Sequence, residues 1–244
     1  MSDMNGQRVI VTGAAQGLGA AIARSFARLG ARVVLMDYNS EGLDQVKDEY
    51  GGRCLALTVD LADSAATDVA IGEALAWLGK VDTLVHNAAI LDPKPIATMR
   101  LPDFRRTVDV GLQAGFQLAR AVWPGMAEAG QGVLIFLSSR SGIEGFVEET
   151  AYCAAKHGLE GLSKSLALEG KPVGIASVTV TPGMFMRTPM SERTYDAEAR
   201  RNWVEPDALA PAFVYLAQAG LTHTGERLSA WDLVRNGDST TNEV

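Results

Sequence analysis

Thr12-Gly13-Ala14-Ala15-Gln16-Gly17-Leu18-Gly19 joins a short β-branched run, Arg8–Thr12, to a segment of helical periodicity, Leu18–Leu29. Glycines allow a backbone to turn tightly and to approach an anion closely. The start of a helix adds unpaired N–H groups and the positive end of the helix dipole. The stretch therefore predicts a phosphate-binding turn between a strand and a helix. A plain tight turn is the alternative.

The next apolar run ends in a carboxylate, Asp37, 18 positions after Gly19. A carboxylate at this place can accept hydrogen bonds from the ribose hydroxyls of a dinucleotide, and it would repel a 2′-phosphate. Gln16 and Tyr38, where a basic residue could hold that phosphate, are both neutral. The pattern favours NAD(H) over NADP(H), although Asp37 taken alone is typical of a turn at the end of a strand.

Strand-like and helix-like segments alternate along the chain. The predicted strands are Arg8–Thr12, Arg32–Asp37, Leu55–Asp60, Val81–His86, Val133–Ser138, Ile175–Val180 and Arg227–Ala230. The predicted helices are Leu18–Leu29, Gly42–Tyr50, Ala65–Leu78, Phe104–Ala129, Ala151–Glu169 and Asp207–Ala219, with Pro124 expected to end or kink the fourth. This order predicts an α/β fold, a Rossmann-like doubly wound parallel sheet flanked by helices. We expect one domain over residues 1–244.

Composition excludes several classes of protein. With 47% hydrophobic and 21% charged residues, the 244-residue chain is not a disordered one. A net charge of −7 disfavours nucleic acid as a partner. No apolar run approaches the roughly 20 residues that span a bilayer, and the polar start of the chain lacks a signal core. We therefore expect no membrane partner and a cytoplasmic location.

The chain has two cysteines, Cys54 and Cys153, which are too few for a disulfide framework or a structural zinc site. They suit a reducing compartment. The three histidines are scattered, and no spacing predicts a metal site. A hydrolase is disfavoured because the sequence contains no Gly-x-Ser-x-Gly elbow.

The least regular stretch, 184–203, follows a predicted strand end and contains three methionines and four arginines. Ligands of such folds bind beyond the carboxyl ends of the strands, so this stretch is a candidate substrate lid. A solvated surface excursion accounts for it equally well.

Several further motifs stand in a fixed order along the whole chain. Tyr152-Cys153-Ala154-Ala155-Lys156 has the form Tyr-x-x-x-Lys, and Ser139 lies 13 residues before the tyrosine. Asn87-Ala88-Ala89 follows the fourth strand, Asp60-Leu61 the third and Pro182-Gly183 the sixth; Thr224-Gly225 comes late in the chain. In these motifs and their spacing the chain resembles the classical short-chain dehydrogenase/reductase family. Ala89 stands where that family usually has glycine.

Two further positions depart from the family pattern. Gly111, in Val110-Gly111-Leu112, stands where the family has an asparagine whose backbone carbonyl helps to hold a water of the proton relay. Gly111 keeps a carbonyl, so the chemistry remains possible. Thr188 lies one residue further from Gly183 than the family's threonine does. The backbone path beside the nicotinamide is therefore expected to differ.

The resemblance implies an NAD-dependent oxidoreductase that interconverts a secondary alcohol and a ketone. Lys156, at i+4 from Tyr152, would lower the pKa of the phenol so that Tyr152 acts as acid or base, and Ser139 would orient the substrate oxygen. Without the family spacing, this pair would be typical of a half-exposed helix face. The residues assigned to cofactor binding are Gly13, Gln16, Gly17, Leu18, Gly19, Asp37, Asp60, Leu61, Asn87, Tyr152, Lys156, Pro182 and Gly183.

An alternative keeps the fold and loses the redox reaction. Gly111 is compatible with an NAD-binding protein, or with a lyase or isomerase that uses the Tyr152–Lys156 pair for acid–base chemistry. The resemblance also implies a homodimer or homotetramer paired through Phe104–Ala129 and Ala151–Glu169. The identity of the alcohol or ketone is not encoded in any motif of the sequence.

Overall fold

The apolar runs form seven parallel strands in the part of the chain that the computed structural model describes, residues 3–194 and 199–238. They are β1 (Arg8–Thr12), β2 (Arg32–Asp37), β3 (Cys54–Thr58), β4 (Thr83–His86), β5 (Gly132–Leu137), β6 (Ile175–Thr181) and β7 (Arg227–Ser229). Their spatial order is β3-β2-β1-β4-β5-β6-β7. The order reverses between β1 and β4, where the carboxyl ends of such strands form a binding crevice.

Helices cover both faces of the sheet, as predicted for a doubly wound fold. The described helices are α1 (Gly17–Arg28), α2 (Ser40–Tyr50), α3 (Ser64–Leu78), α4 (Leu101–Val108), α5 (Ala114–Ala129), α6 (Thr150–Gly170), α7 (Pro189–Thr194), α8 (Ala210–Ala219) and α9 (Ala230–Asp238). Short 3₁₀ turns complete several of the connections.

Alternation along the strands divides the buried side chains into two cores. In β1, Val9 and Val11 belong to a core shared with α1, α2 and α8, whereas Ile10 belongs to a core shared with α3, α5 and α6. This period of two is that of a pleated strand, and both faces are apolar because helices cover both. The sheet is thereby held rigid, and its carboxyl-end loops carry the candidate site.

The long helix predicted over Phe104–Ala129 differs from the expectation. The irregular part is a π-helical turn, Asp109–Gln113, between α4 and α5, and α5 continues through Pro124 to Ala129. Of the two outcomes predicted for Pro124, an end or a kink, an end is wrong. Both Pro124 and Arg120, whose carbonyl loses its helical donor, are exposed, so water can replace the missing bond.

Other boundaries shift by a few residues. β3 ends at Thr58, so Asp60 lies in the loop that follows, and α8 begins at Ala210 after a 3₁₀ turn. No sequence pattern predicted α7 or α9. The candidate lid contains residues 195–198, which lie outside the described residues.

Candidate active site

The glycine turn has the geometry that its composition predicted. Gly13 and Gly17 have φ of +65° and +56°, in the region that only glycine adopts readily. A Cβ on Gly19 would stand 2.0 Å from the carbonyl oxygen of Gly13, so the first turn of α1 packs directly against β1's exit. Only glycine therefore fits at position 19, where the turn and the helix are in direct backbone contact.

The start of α1 differs from the starts of α2 and α3. Asp63 accepts hydrogen bonds from the amides of Ala65 and Ala66 and caps α3, and Asn39 accepts one from Gly42 and caps α2. Gln16 occupies the same position before α1 in an extended conformation, and its side chain makes no such bond. Because the first amides of α1 lack a side-chain cap, they can bind an external anion.

Asp37 lies against this turn at the end of β2. One carboxylate oxygen accepts the Ala15 amide at 3.1 Å, and the other accepts the Asn39 amide at 3.0 Å. The carboxylate is 7% exposed and its neighbour Tyr38 is 68% exposed. The backbone amides thus orient the carboxylate, and each oxygen keeps capacity for a second donor.

A chain of buried hydrogen bonds connects the glycine turn to the π-helical turn. The Thr12 hydroxyl lies 3.0 Å from His86 Nδ1 and accepts the amides of Asn87 and Ala88, so its proton points to the ring. His86 Nε2 lies 3.3 Å from the carbonyl oxygen of Gly111. Because Nδ1 accepts the Thr12 proton, Nε2 carries the N–H of the ring and donates to that carbonyl. Burial, assisted by the charge of Lys156, lowers the pKa of His86 to about 3.

Asn87 fixes the relative position of β1 and β4 at the crevice. Its side-chain amide donates to the carbonyls of Thr12 and Gly13, at 3.1 Å each. Gly111, the departure from the family pattern, keeps its carbonyl in contact with His86. His86 and Thr12 were not among the predicted site residues; their positions at the ends of adjacent strands were the available signal.

Asp60 and Leu61 lie beyond β3, on the outer side of the crevice. Asp60 accepts the Ala62 amide at 3.0 Å and forms an ion pair with Arg106 of α4 at 2.9 Å. Leu61 is buried. Arg106 was not predicted from the sequence.

The Tyr152–Lys156 pair lies on α6, with the ammonium nitrogen 5.5 Å from the centroid of the tyrosine ring. Lys156 is 1% exposed, and its ammonium donates to the carbonyl of Leu137 at the end of β5. Burial lowers the pKa of Lys156 to about 8, while the charge of Glu160 opposes this shift. Ser139 follows β5 by two residues, half-buried, and its hydroxyl accepts the Ser141 amide at 3.2 Å.

Pro182 and Gly183 follow β6 and are held by the last described elements of the chain. The Pro182 carbonyl accepts the Trp231 amide at 3.1 Å. Gly183 has φ of +77°, and a Cβ there would stand 2.2 Å from the Ser229 hydroxyl. The chain reverses here and runs on towards the glycine turn.

Thr188 reaches the glycine turn despite its shifted spacing. A Cβ on Gly17 would stand 3.1 Å from the methyl group of Thr188, and the threonine hydroxyl lies 2.9 Å from that of Ser191. The ends of the candidate lid are joined, because the Arg187 amide donates to Val204 and the Val204 amide donates to Phe185. Arg187 also pairs with Glu192 inside the segment.

A buried polar cluster behind Ser139 was missed by sequence reasoning. It contains Ser138, Glu160, Thr179 and Arg227. Glu160 follows Lys156 by one helical turn, a spacing that could have indicated it. Arg227 is distant in sequence and carries no local signal.

The described residues contain no group of three or more His, Cys, Asp or Glu side chains arranged to hold a metal ion. Within the same part of the chain, every helix is too short or too polar to cross a membrane.

Comparison with known proteins places these features in a family. Residues 7–199 match the family model described as short chain dehydrogenase. D-threitol dehydrogenase of Mycolicibacterium smegmatis is 31% identical to the chain over 249 aligned positions, which cover 97% of this chain and 94% of that protein.

Two solved structures share the fold. The 3-ketoacyl-(acyl-carrier-protein) reductase of Brucella melitensis, complexed with NADH, has a TM-score of 0.86 and 28% identity over 93% of this chain and 97% of its own. A Beutenbergia cavernae protein, assigned as an NAD(P)-dependent gluconate 5-dehydrogenase and holding NADP at low occupancy, has a TM-score of 0.83 and 29% identity over 94% and 98%. The chain belongs to the short-chain dehydrogenase family of oxidoreductases, as its motifs and its single Rossmann-like domain indicated.

Proposed function

We propose that the protein is an NAD(H)-dependent oxidoreductase that interconverts a secondary alcohol and a ketone, with Tyr152 as the acid and base. The observation that carries this proposal is the buried Lys156 ammonium, 5.5 Å from the Tyr152 ring at the carboxyl end of the sheet. A buried cation without a bonded carboxylate is unfavourable for folding, so its retention beside a phenol favours a chemical role.

The crevice fits a nicotinamide dinucleotide, because the first amides of α1 lack a side-chain cap and the glycine turn before them packs too closely for a side chain at Gly19. When bound, the cofactor supplies or accepts a hydride. The residues proposed to hold it are Gly13, Gln16, Gly17, Leu18, Gly19, Asp37, Asp60, Leu61, Asn87, Tyr152, Lys156, Pro182 and Gly183. Thr188, which lies against Gly17, is an additional candidate for contact with the pyrophosphate.

Asp37 supports NAD(H) in preference to NADP(H). Its carboxylate is fixed by two amides at the ribose end of the crevice, and a 2′-phosphate there would face a negative charge. The solved relatives include one with NADH and one with NADP, so the family admits both. The preference for NAD(H) therefore rests on Asp37 and on the neutral residues Gln16 and Tyr38.

In the reductive direction, Tyr152 donates its hydroxyl proton to the carbonyl oxygen as a hydride reaches the carbonyl carbon. The products are the alcohol and a phenolate, which the Lys156 ammonium stabilises. With a pKa of about 8, Lys156 is mainly protonated at neutral pH. The phenolate is then reprotonated from solvent, and in the oxidative direction it accepts the proton of the alcohol.

Ser139 is proposed to donate a hydrogen bond to the same substrate oxygen. Its hydroxyl oxygen accepts the Ser141 amide at 3.2 Å, and its proton makes a long bond of 3.4 Å to the Ser141 hydroxyl, which a substrate oxygen would replace. A donor at this place stabilises the negative charge that develops on the oxygen.

Substrate class and assembly extend the proposal. The D-threitol dehydrogenase relative makes a small polyol the first substrate class to try, and we propose the stretch 184–203 as its lid. Paired α5 and α6 helices would give a homodimer or homotetramer, and Phe116 and Leu168, which are exposed on these helices, offer apolar surface for it. Light scattering after size-exclusion chromatography measures the assembly.

The test uses NADH with cyclohexanone, butanone and hydroxyacetone, and NAD⁺ with the matching alcohols cyclohexanol, butan-2-ol and propane-1,2-diol, and also with D-threitol. We expect turnover of at least one pair, lost by about 10²–10⁴-fold in Tyr152→Phe while NADH affinity stays nearly unchanged. Tyr215→Phe is the matched control, because this tyrosine lies on α8 and is exposed.

Turnover that persists in Tyr152→Phe would overturn the mechanism. NADH binding without turnover of any compound would instead favour the non-redox alternative. Tighter binding of NADPH than of NADH would contradict the assignment of the cofactor.

A further inference from the structure

A carboxylate and a guanidinium lie together behind Ser139, between α6, β6 and β7. Glu160 is on α6, one turn beyond Lys156, and is 5% exposed. Arg227 is the first residue of β7, and its Nε donates to Glu160 Oε1 at 3.1 Å. The proposed chemistry uses neither side chain.

Glu160 collects donors from three separate elements. Besides Arg227 of β7, it accepts the hydroxyl of Ser138, which follows β5, and the hydroxyl of Thr179 in β6 at 2.8 Å. A carboxylate has about four acceptor positions, so this one is largely satisfied and fixed. Gly142 is packed against the cluster, since a Cβ there would stand 2.6 Å from the Ser138 hydroxyl oxygen.

Arg227 makes a second bond that reaches the candidate active site. Its Nη2 donates to the backbone carbonyl of Ser139 at 3.0 Å, and the same carbonyl accepts the Gly142 amide at 3.0 Å. The rigid fork of a guanidinium can hold a carboxylate and a carbonyl on different elements at once, which a lysine ammonium on a flexible stem does poorly.

Stability alone does not account for this pair. A buried ion pair gives little or no net stability compared with apolar residues of the same volume. Its contribution is instead geometric, because it fixes how the chain leaves β5 and so fixes the direction of the Ser139 hydroxyl. We propose that Glu160 and Arg227 are positioning residues that hold Ser139 in place for catalysis. The catalytic part of this proposal depends on the function proposed above for Ser139.

The first test needs no substrate. In full-length protein, Arg227→Lys keeps the charge and removes the fork, so we expect amide hydrogen exchange over residues 138–145 to rise by about tenfold or more. Ser163→Ala is the matched control. Ser163 bonds Ser177 at 2.9 Å and so links α6 to β6, as Glu160 does through Thr179. Exchange over residues 138–145 should stay unchanged in the control.

Glu160→Gln is the second variant, and it keeps the test decisive if Arg227→Lys fails to fold. It keeps the size of the side chain and removes the negative charge, and we expect a smaller rise over the same segment. Unchanged exchange in both variants would overturn the proposal. An equal rise in Ser163→Ala would do the same, because it would indicate a general loosening of the seam between α6 and β6.

The second test uses cyclohexanone, or the ketone that the wild type reduces fastest. We expect Arg227→Lys to lower kcat by about tenfold with the KM for NADH unchanged, a loss typical of a misplaced catalytic group. In a Ser139→Ala background the same substitution should have almost no further effect on kcat. If the two losses multiply instead, Arg227 does not act through Ser139.

The two tests separate the two proposals. If the wild type reduces no ketone, the proposed function fails, yet exchange over residues 138–145 still decides whether the pair holds the Ser139 backbone. If turnover depends on Tyr152 but exchange does not change, only the positioning proposal fails.

Discussion

The two ends of the crevice, one where we propose that the nucleotide binds and one where we propose that catalysis takes place, are built in different ways. At the nucleotide end, glycines and backbone amides form the site, and the contact from Ala15 to Asp37 joins residues 22 apart in the sequence. At the catalytic end, side chains hold one another across the sheet, and the contacts of Arg227 reach residues 67 and 88 positions away. The first end depends mainly on the conformation of one local turn, whereas the second depends on contacts between distant parts of the sheet.

We therefore expect the largest loss of NADH binding from a single methyl group added within the glycine turn. We expect Gly19→Ala to weaken NADH binding by about 100-fold or more, and to lower the free energy of unfolding by about 1–3 kcal/mol. The reason is that the new Cβ would stand 2.0 Å from the Gly13 carbonyl oxygen, a backbone atom that cannot rotate away. Fluorescence titration with NADH and thermal denaturation measure the two effects.

The control is Gly72→Ala on α3, where an added Cβ meets nothing within 4 Å. Alanine there should leave NADH affinity unchanged and raise stability by about 0.5–1 kcal/mol, because glycine is unfavourable inside a helix. If the two variants behave alike, the close packing of the turn is not what forms the site.

A substitution that removes the charge of Asp37 tests the nucleotide end further, and its expected effect is smaller. In Asp37→Ser we expect the preference for NADH over NADPH to fall by about 10–100-fold, which is roughly 1.4–2.8 kcal/mol of lost discrimination. The cause is that serine can still bond a ribose hydroxyl but does not repel a 2′-phosphate. Titration with both reduced cofactors gives the ratio.

Asp44→Ser on α2 removes the same charge from an exposed position outside the crevice. The cofactor ratio should not change in this variant. An equal drop in both variants would indicate that net charge, and not the carboxylate of Asp37, sets the preference.

The nucleotide end was largely readable from the sequence because the glycine turn and Asp37 lie close together along the chain. Gly13, Gly17 and Gly19 are needed by one turn, and Asp37 ends the next strand, so spacing alone brought them together. Tyr152 and Lys156 were readable for the same reason, since one helical turn separates them. The sheet followed from the alternation of strands and helices, and with it the doubly wound fold.

The catalytic end was only partly readable. Arg227 begins a three-residue strand, and nothing near it in the sequence indicates that it faces Glu160 and the Ser139 carbonyl. The π-helical turn at Gly111 was missed because nothing near it in the sequence indicates that its carbonyl contacts His86 Nε2 at the end of β4. Pro124 is the strongest local signal for a helix end, yet the packing of α5 keeps the chain helical through it to Ala129.

His86 joins the two ends, and its effect depends on pH. Its pKa is about 3 in the folded protein, against 6.5 for an unperturbed histidine, so between these values the unfolded chain binds a proton that the folded protein does not. Stability is therefore lost as pH falls below 6.5, by up to about 1.4 kcal/mol per pH unit from this group. At pH 5.5 the loss should be about 1 kcal/mol.

His86→Asn removes that titration. We expect the variant to be less stable than the wild type at pH 7.5, since the bonds to Thr12 and Gly111 are weakened, and the difference to shrink by about 1 kcal/mol at pH 5.5. Urea denaturation at fixed protein concentration, at both pH values, measures the change. His157→Asn, an exposed replacement on α6 outside this bonded chain, is the control for the substitution itself. A constant difference between wild type and His86→Asn would mean that His86 accepts a proton in place, and that the bonded chain from Thr12 to Gly111 does not hold the ring neutral.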